Sequence, residues 1–214
     1  MVFRASRTLP SGLFCLLIPL TSLWAYKDFV MPKTENASTY SSKDSHPEEK
    51  ITAAIDVYNT APKDDVFGTN YAQNGILPVF LVITNDGNRP ISVTKMQAQL
   101  VTSGRAKLDA LSADDVMRRV AHVNVSSTNP GRTTPFPIPG GNKNKKAQQQ
   151  AEEVNRARFS AFAVEPHSTQ AGFLFFDIDG VRNPVEGAHI YLTGMRDVGG
   201  SDLMYFDIPV MPSN

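Results

Sequence analysis

The sequence has almost no cysteine, with one, Cys15, in 214 residues. A lone cysteine cannot form an intramolecular disulfide, and it cannot build a cysteine-based zinc site. Neither sign of charge is in excess, since 21 Lys and Arg residues balance 21 Asp and Glu residues. A protein that coats nucleic acid normally carries a basic excess, so nucleic acid is not an expected partner. The fold must therefore be held by an apolar core.

The sequence also lacks an apolar run long enough to cross a membrane. The run LFCLLIPL at 13–20 follows Arg4 and Arg7 and extends over roughly a dozen residues, whereas a spanning helix needs about 20. This arrangement is typical of a secretory signal peptide. We expect residues 1–25 to be that signal and the mature chain, without a transmembrane span, to be periplasmic, secreted or displayed at the cell surface. An uncleaved N-terminal membrane anchor is the alternative.

Composition divides the remaining chain into two parts. Residues 26–49 contain proline, serine and charged residues with few apolar ones, which predicts a flexible linker. Residues 50–212 carry the pattern of one folded domain. Within it, 51–57 alternates with a period of two and predicts a half-buried strand, and the apolar run at 75–84 predicts a central strand. Pro78 inside that run predicts a bulge or an edge position.

About seven or eight strands with a turn signal roughly every ten residues predict the fold class. We expect an all-β fold, an immunoglobulin-like antiparallel β-sandwich with one or two short connecting helices. One of these helices should begin after Ser112, which can cap its first turn. A closed barrel is the alternative, because strand number alone does not separate the two.

Two runs carry a resemblance to known proteins. The first, GILPVFLVITN at 75–85, leads into an acidic-glycine turn and a proline, and the second is AGFLFF at 171–176. Their order resembles that in an uncharacterised group of secreted bacterial immunoglobulin-like proteins, over about residues 51–210. The resemblance implies a sandwich fold and a location in the bacterial envelope. It brings no catalytic residue, because these motifs describe strands and turns.

One segment, 125–158, interrupts the strand pattern. A basic loop rich in proline and glycine runs into a helix rich in Gln, Glu and Ala. Loops longer than about 15 residues are usually functional or disordered, so we expect this segment to face a partner. That partner would be an envelope protein or a surface polymer. The side chains expected to bind it are two apolar residues and the lysines that follow them: Phe136, Ile138, Lys143, Lys145 and Lys146.

Motifs for catalysis or cofactors are scarce. The sequence has no Gly-x-Ser-x-Gly elbow and no phosphate-binding Gly-x-x-x-x-Gly-Lys loop, and the acidic run at 177–180 lacks the later glutamate of an EF-hand. We therefore expect no cofactor, no metal and no enzymatic activity. The expected function is a non-enzymatic binding or structural module of the bacterial cell envelope. The alternative is an enzyme or a metal-dependent ligand-binding protein whose site is assembled from scattered residues.

Overall fold

The structure, a computed structural model, describes residues 27–121, 141–203 and 205–211, so the expected signal peptide lies outside the described residues. The strands of this part are β1 (Ser42–His46), β2 (Ile51–Val57), β3 (Ile76–Asn85), β4 (Ile91–Ser92), β5 (Gln97–Val101), β6 (Lys107–Asp109), β7 (Ala163–Val164), β8 (Ser168–Asp177), β9 (His189–Thr193), β10 (Arg196–Asp197) and β11 (Phe206–Pro209). The helices are α1 (Ala113–Val120) and α2 (Gly141–Ala157), with short 3-10 helices at Ala37–Thr39, Lys63–Val66 and Ala72–Asn74.

The strands form two large antiparallel sheets and one small one. Sheet I has the order β1-β2-β3-β8, sheet II has the order β11-β9-β5-β6, and the small sheet has the order β10-β4-β7. Apart from β1, the strand order matches that of an immunoglobulin-like sandwich. β2-β3-β8 corresponds to strands A-B-E of one sheet, and β11-β9-β5-β6 corresponds to strands G-F-C-C′ of the facing sheet. The predicted all-β antiparallel sandwich with two short connecting helices is therefore confirmed.

The two large sheets lie edge to edge at β1 and β11 without merging into a closed barrel. Side chains of β1 make the link. The Asp207 amide donates to Oδ2 of Asp44 at 2.9 Å, and the Met211 amide donates to Oγ of Ser42 at 2.9 Å. This seam keeps the two sheets distinct while fixing their relative position.

A first core fills the space between sheets I and II. It is built mainly from the inward-facing apolar residues of six strands of these two sheets, because alternate side chains of a strand point to the same face. Its largest members are Ile51, Ile55, Leu77, Leu81, Ile83, Leu100, Phe176, Ile190 and Phe206. Burial of each such side chain contributes about 1.5–3 kcal/mol.

A second core covers the opposite face of sheet I. Phe80, Phe173 and Phe175 point away from sheet II and meet a cover made of the N-terminal segment, the loops at 58–75 and both helices. Phe67 lies at its centre, with its ring centroid 4.8 Å from that of Phe173. The inner strands β2 and β3 of sheet I are thus buried on both faces. The half-buried prediction for 51–57 is wrong for this reason, because Ala54, on the face turned away from sheet II, is buried in the second core.

The flexible-linker prediction for 26–49 is also wrong where the structure describes the segment. Phe29 is only 4% exposed and belongs to the second core. Further along, β1 pairs with β2 along its whole length. The strand has no hydrophobicity pattern because polar residues make its contacts across the seam. Asp44 accepts the Asp207 amide of β11, Ser42 accepts the Met211 amide just after β11, and the ring of His46 stacks on Phe206. The folded domain therefore begins before residue 50.

The expected bulge or edge position at Pro78 is not found. Pro78 lies in β3, a central strand, opposite Phe175 of β8. Its carbonyl oxygen accepts a hydrogen bond from the amide of Tyr58 at 3.0 Å. The paired residues of β2 and β3 end with Val57 and Val79. The N–H group that proline lacks would lie just beyond this last pair, so its absence costs no hydrogen bond between the paired residues.

The helical part of the 125–158 segment packs against the body of the protein. Val154 and Ala157 of α2 are fully buried in the second core. Glu153 of α2 is 2% exposed and accepts hydrogen bonds from the amides of Gly68 at 2.7 Å and Thr69 at 3.2 Å. This helix is a structural cover for sheet I. Among the described residues, no helix is long and apolar enough to cross a membrane.

Candidate functional site

The outer face of sheet II is where the sandwich presents polar and aromatic side chains to solvent. The sequence of β9, HIYLT, places Ile190 and Leu192 in the first core and the alternate residues on the outside. β5 does the same, with Ala98 and Leu100 inside and glutamines outside. The cover over sheet I lies on the opposite side of the sandwich. We call the outer side of sheet II the open face.

Three rings form a strip along β9, here called the aromatic strip: His189, Tyr191 and Tyr205. The ring centroids of His189 and Tyr191 are 6.3 Å apart with the ring planes at 22°. Those of Tyr191 and Tyr205 are 6.2 Å apart with the planes at 41°. Tyr205 is the most accessible, with 55% of its surface exposed. The strip is therefore a continuous aromatic surface that solvent reaches.

A line of hydrogen-bonding side chains crosses the strip, here called the polar row: Asp109, Gln99, Tyr191 and Asp207. The strand register sets this line, since Gln99 lies opposite both Asp109 and Tyr191, and Tyr191 lies opposite Asp207. With strands about 4.8 Å apart, the row extends over about 14 Å. Gln99 Nε2 donates to Oδ1 of Asp109 at 2.8 Å, which fixes one end of the row.

Asp207 fixes the other end of the polar row. Its Oδ1 lies 2.6 Å from Nδ1 of His189, within hydrogen-bonding distance. Partial burial of the ring, followed by the negative charge of Asp207, raises the pKa of Tyr191 above its ordinary value. Tyr191 therefore keeps its hydroxyl proton at neutral pH and donates it in a hydrogen bond to the carboxylate of Asp207.

β1 supports the open face from behind. Asp44 holds the backbone amide of Asp207, and the ring of His46 stacks on Phe206 with centroids 4.0 Å apart and planes at 9°. His46 is itself flanked by Asp44 at 3.5 Å and Glu49 at 3.0 Å. The strand that the sequence predicted to be a linker thus positions the edge of the candidate site.

The residues predicted from the sequence to bind a partner lie elsewhere. Phe136 and Ile138 fall outside the described residues. Lys143, Lys145 and Lys146 belong to α2, where the side chains of Lys145 and Lys146 are exposed. Because α2 covers sheet I, Lys145 and Lys146 do not join the aromatic strip on the open face. Their role in partner binding stays a prediction.

Sequence reasoning recognised β5 and β9 as strands but missed the site that they carry. The signal was present in the alternation. In 189–193 the aromatic and polar residues stand at the odd-numbered positions and the aliphatic residues at the even-numbered ones. The segment 97–101 alternates in the same way, with Gln99 on the side of the polar residues. Tyr205 carried no such signal, because it lies just outside β11 and joins the strip only through the fold.

In the described part of the chain, no three His, Cys, Asp or Glu side chains converge in a way that could hold a metal ion. The acidic run at 177–180 forms a turn, in which the Asp179 amide donates to Oδ1 of Asp177 at 3.0 Å and Arg119 pairs with the other carboxylate oxygen. A cavity of about 250 Å³ lies between Val57, Val185 and Val210, smaller than the roughly 300–1,000 Å³ of usual ligand pockets.

Comparison with known proteins adds little to this geometry. No protein-family model matches the chain, and no curated protein matches it. A solved structure described as a functionally unknown protein from Listeria monocytogenes EGD-e is similar at 13% sequence identity, with a TM-score of 0.37. The match covers 86% of this chain and 89% of that one.

Proposed function

We propose that the protein is a non-enzymatic, extracytoplasmic binding module of the bacterial cell envelope, and that the open face of sheet II is its binding surface. The observation that carries this proposal is the aromatic strip crossed by the polar row. It brings three rings, an amide and two carboxylates together on one surface. Tyrosine is favoured at binding surfaces because its ring is large and rigid and ends in a hydroxyl.

The scaffold suits such a role because the side chains are preorganised. Gln99, Tyr191 and Asp207 project from strands whose other faces are packed in the first core. Gln99 is held by Asp109, and Asp207 is held by His189 and by the backbone contact with Asp44. A ligand that binds there would not have to order a loop, which lowers the entropic cost of binding.

The location in the envelope is supported by the sequence of residues 1–25, which has the charged start and short apolar run of a signal peptide. Cell fractionation tests it. The full chain should be recovered in the envelope or outside the cell, whereas a chain that begins at Lys27 should remain in the cytoplasm. Recovery of both chains in the cytoplasm would contradict this part of the proposal.

Binding to isolated bacterial envelopes tests the proposed surface. The purified protein should bind them, and Tyr205→Ala should bind about two- to tenfold more weakly, because loss of an aromatic contact costs about 0.5–1.5 kcal/mol. The double variant with Lys145→Ala and Lys146→Ala is the matched comparison on the opposite side of the sandwich. If only the lysine variant loses binding, the basic segment is the binding surface and the open face is not.

A further inference from the structure

We propose that the ligand of the open face is an uncharged polysaccharide that carries pairs of adjacent hydroxyl groups. Its sugar rings would lie on the aromatic strip and its hydroxyls would bond to the polar row. This inference rests on the proposed function and specifies the chemistry of its ligand. Shape, hydrogen-bonding groups and charge of the open face each support it.

The aromatic strip fits the apolar face of a sugar ring. A sugar ring presents C–H groups on its faces and hydroxyls around its rim. The face of an aromatic ring is electron-rich, so it attracts the weakly positive hydrogens of those C–H groups. Tyr205, with 55% of its surface exposed, offers the most accessible ring, and Tyr191 continues the surface 6.2 Å away.

The polar row fits the rim of a sugar. A carboxylate accepts hydrogen bonds at two oxygens, so it can receive two adjacent hydroxyl protons at once. A carboxylate can accept about four hydrogen bonds in all, and Asp109 accepts one from Gln99. Its other acceptor positions can receive hydroxyl protons of a sugar. The Tyr191 hydroxyl donates to Asp207 and can still accept a hydrogen bond from a sugar hydroxyl, and the second N–H of Gln99 Nε2 can donate one. The row therefore offers both acceptors and a donor along about 14 Å.

The charges of the open face disfavour an anionic polymer. Asp109 and Asp207 lie at the two ends of the polar row, and the cation beside them on sheet II is Lys107 of β6, opposite Val101. A polymer with phosphate or carboxylate groups would meet two like charges, which is unfavourable at short distance. A protein that adds a strand needs an open sheet edge, whereas the aromatic strip lies on the face of sheet II. An uncharged glycan meets neither obstacle.

Selective chemical treatment of envelopes tests the ligand class. Periodate cleaves carbon chains that bear adjacent hydroxyls, whereas a protease removes envelope proteins. We expect the purified protein to lose at least about tenfold in binding to periodate-treated envelopes and to bind protease-treated envelopes as before. Binding should also change little when salt is raised, because the contacts are not between opposite charges.

Variants assign the loss to the open face. Asp109→Asn, which keeps the shape of the side chain and removes its charge, should weaken binding about tenfold, because hydrogen bonds to charged groups are the stronger ones. Tyr205→Phe keeps the ring and should bind within about twofold of the wild type, while Tyr205→Ala should not. Circular dichroism of each variant verifies its fold.

The outcomes separate two kinds of failure. Loss of binding after protease, with full binding after periodate, would replace the glycan with a protein ligand and leave the binding module standing. Strong weakening by salt, or full binding after periodate, would likewise overturn the inference. If untreated envelopes do not bind the wild-type protein at all, the proposed function itself is wrong.

Discussion

The carboxylate of Glu153 on α2 holds the backbone of Gly68, 85 residues earlier in the chain, with an oxygen 2.7 Å from the glycine nitrogen. The same carboxylate receives the amide of Thr69 at 3.2 Å. This contact fastens the helix to the loop that carries Phe67, the central ring of the second core. It turns a helix with a mostly polar sequence into a fixed part of the cover over sheet I.

Replacement of Glu153 by Ala should therefore destabilise the protein. The amides of Gly68, which is half-buried, and Thr69, which is buried, lose a charged acceptor, and hydrogen bonds of this kind contribute about 1.5–3 kcal/mol. Urea unfolding measures the change in the free energy of unfolding. Glu152→Ala is the matched control, because the neighbouring side chain is exposed, and it should change the value by less than about 0.5 kcal/mol. Equal effects of both variants would contradict the anchoring role.

Gly172 is expected to tolerate no side chain. A Cβ atom at this position would lie 2.5 Å from Cα and 2.7 Å from N of Phe159, whose backbone crosses the edge of β8. Gly172→Ala should cost about 1–3 kcal/mol of folding free energy, as overpacking usually does. Gly104→Ala is the control, since its Cβ would meet only Thr102 Oγ1 at 3.7 Å. Thermal unfolding of the two variants should show a clear loss for Gly172→Ala alone.

Asn85 organises the turn after β3 from a buried position. Its Nδ2 donates to the carbonyls of Arg89 at 2.8 Å and Val164 at 3.0 Å, and its Oδ1 accepts from the amide of Gly87 at 2.9 Å. Asn85→Ala should cost about 2 kcal/mol or more, because buried polar groups of the backbone lose their partners. Denaturant unfolding measures this cost. Asn88→Ala, in the same turn but exposed, should cost far less, and a similar loss for both would refute the role of Asn85.

Tyr58 should make the stability depend on alkaline pH. Burial, followed by the negative charge of Asp56, raises its pKa in the folded protein above the ordinary value of 10.0. Above that pH the unfolded state loses the phenolic proton while the folded state keeps it, so the free energy of unfolding falls as pH rises. Below it both states are protonated and this effect is absent.

Unfolding of wild type and Tyr58→Phe over a pH series tests this linkage. The difference in free energy of unfolding between the two should be constant near neutral pH. It should shift against the wild type once the pH exceeds 10, because only the wild type carries the Tyr58 proton. A difference that stays constant into the alkaline range would show that the pKa of Tyr58 is the same in both states.

The sandwich fold could be predicted from the sequence because its inner strands are apolar runs that end at turn residues. Burial on both sides made 76–83 apolar at every position, and the turn residues that follow mark its end. Ser112 gave the start of α1, where its hydroxyl accepts the amide of Asp115 at 3.2 Å. In these places local chemistry and the global fold require the same residues.

The sequence was insufficient where distant segments supply the partners. β1 contains no large apolar side chain, and its place is set by pairing with β2 and by polar contacts with β11. Phe29 belongs to no regular alternation of apolar and polar residues, so no periodicity predicts its burial. The aromatic strip likewise needs Tyr205, which only the fold brings beside Tyr191. Contacts of this kind become visible when the chain is folded.

The two large sheets differ in how many of their residues can be substituted without loss of folding. The inner strands β2 and β3 of sheet I are enclosed by two cores, so substitutions on either of their faces disturb folding. The outer side chains of sheet II lie outside the first core and contribute little to its packing. Gln99, Tyr191 or Asp109 can therefore be substituted at small cost in folding free energy. Mutation can therefore explore new ligand preferences on this surface while the domain continues to fold, which makes it a natural starting point for directed evolution of affinity.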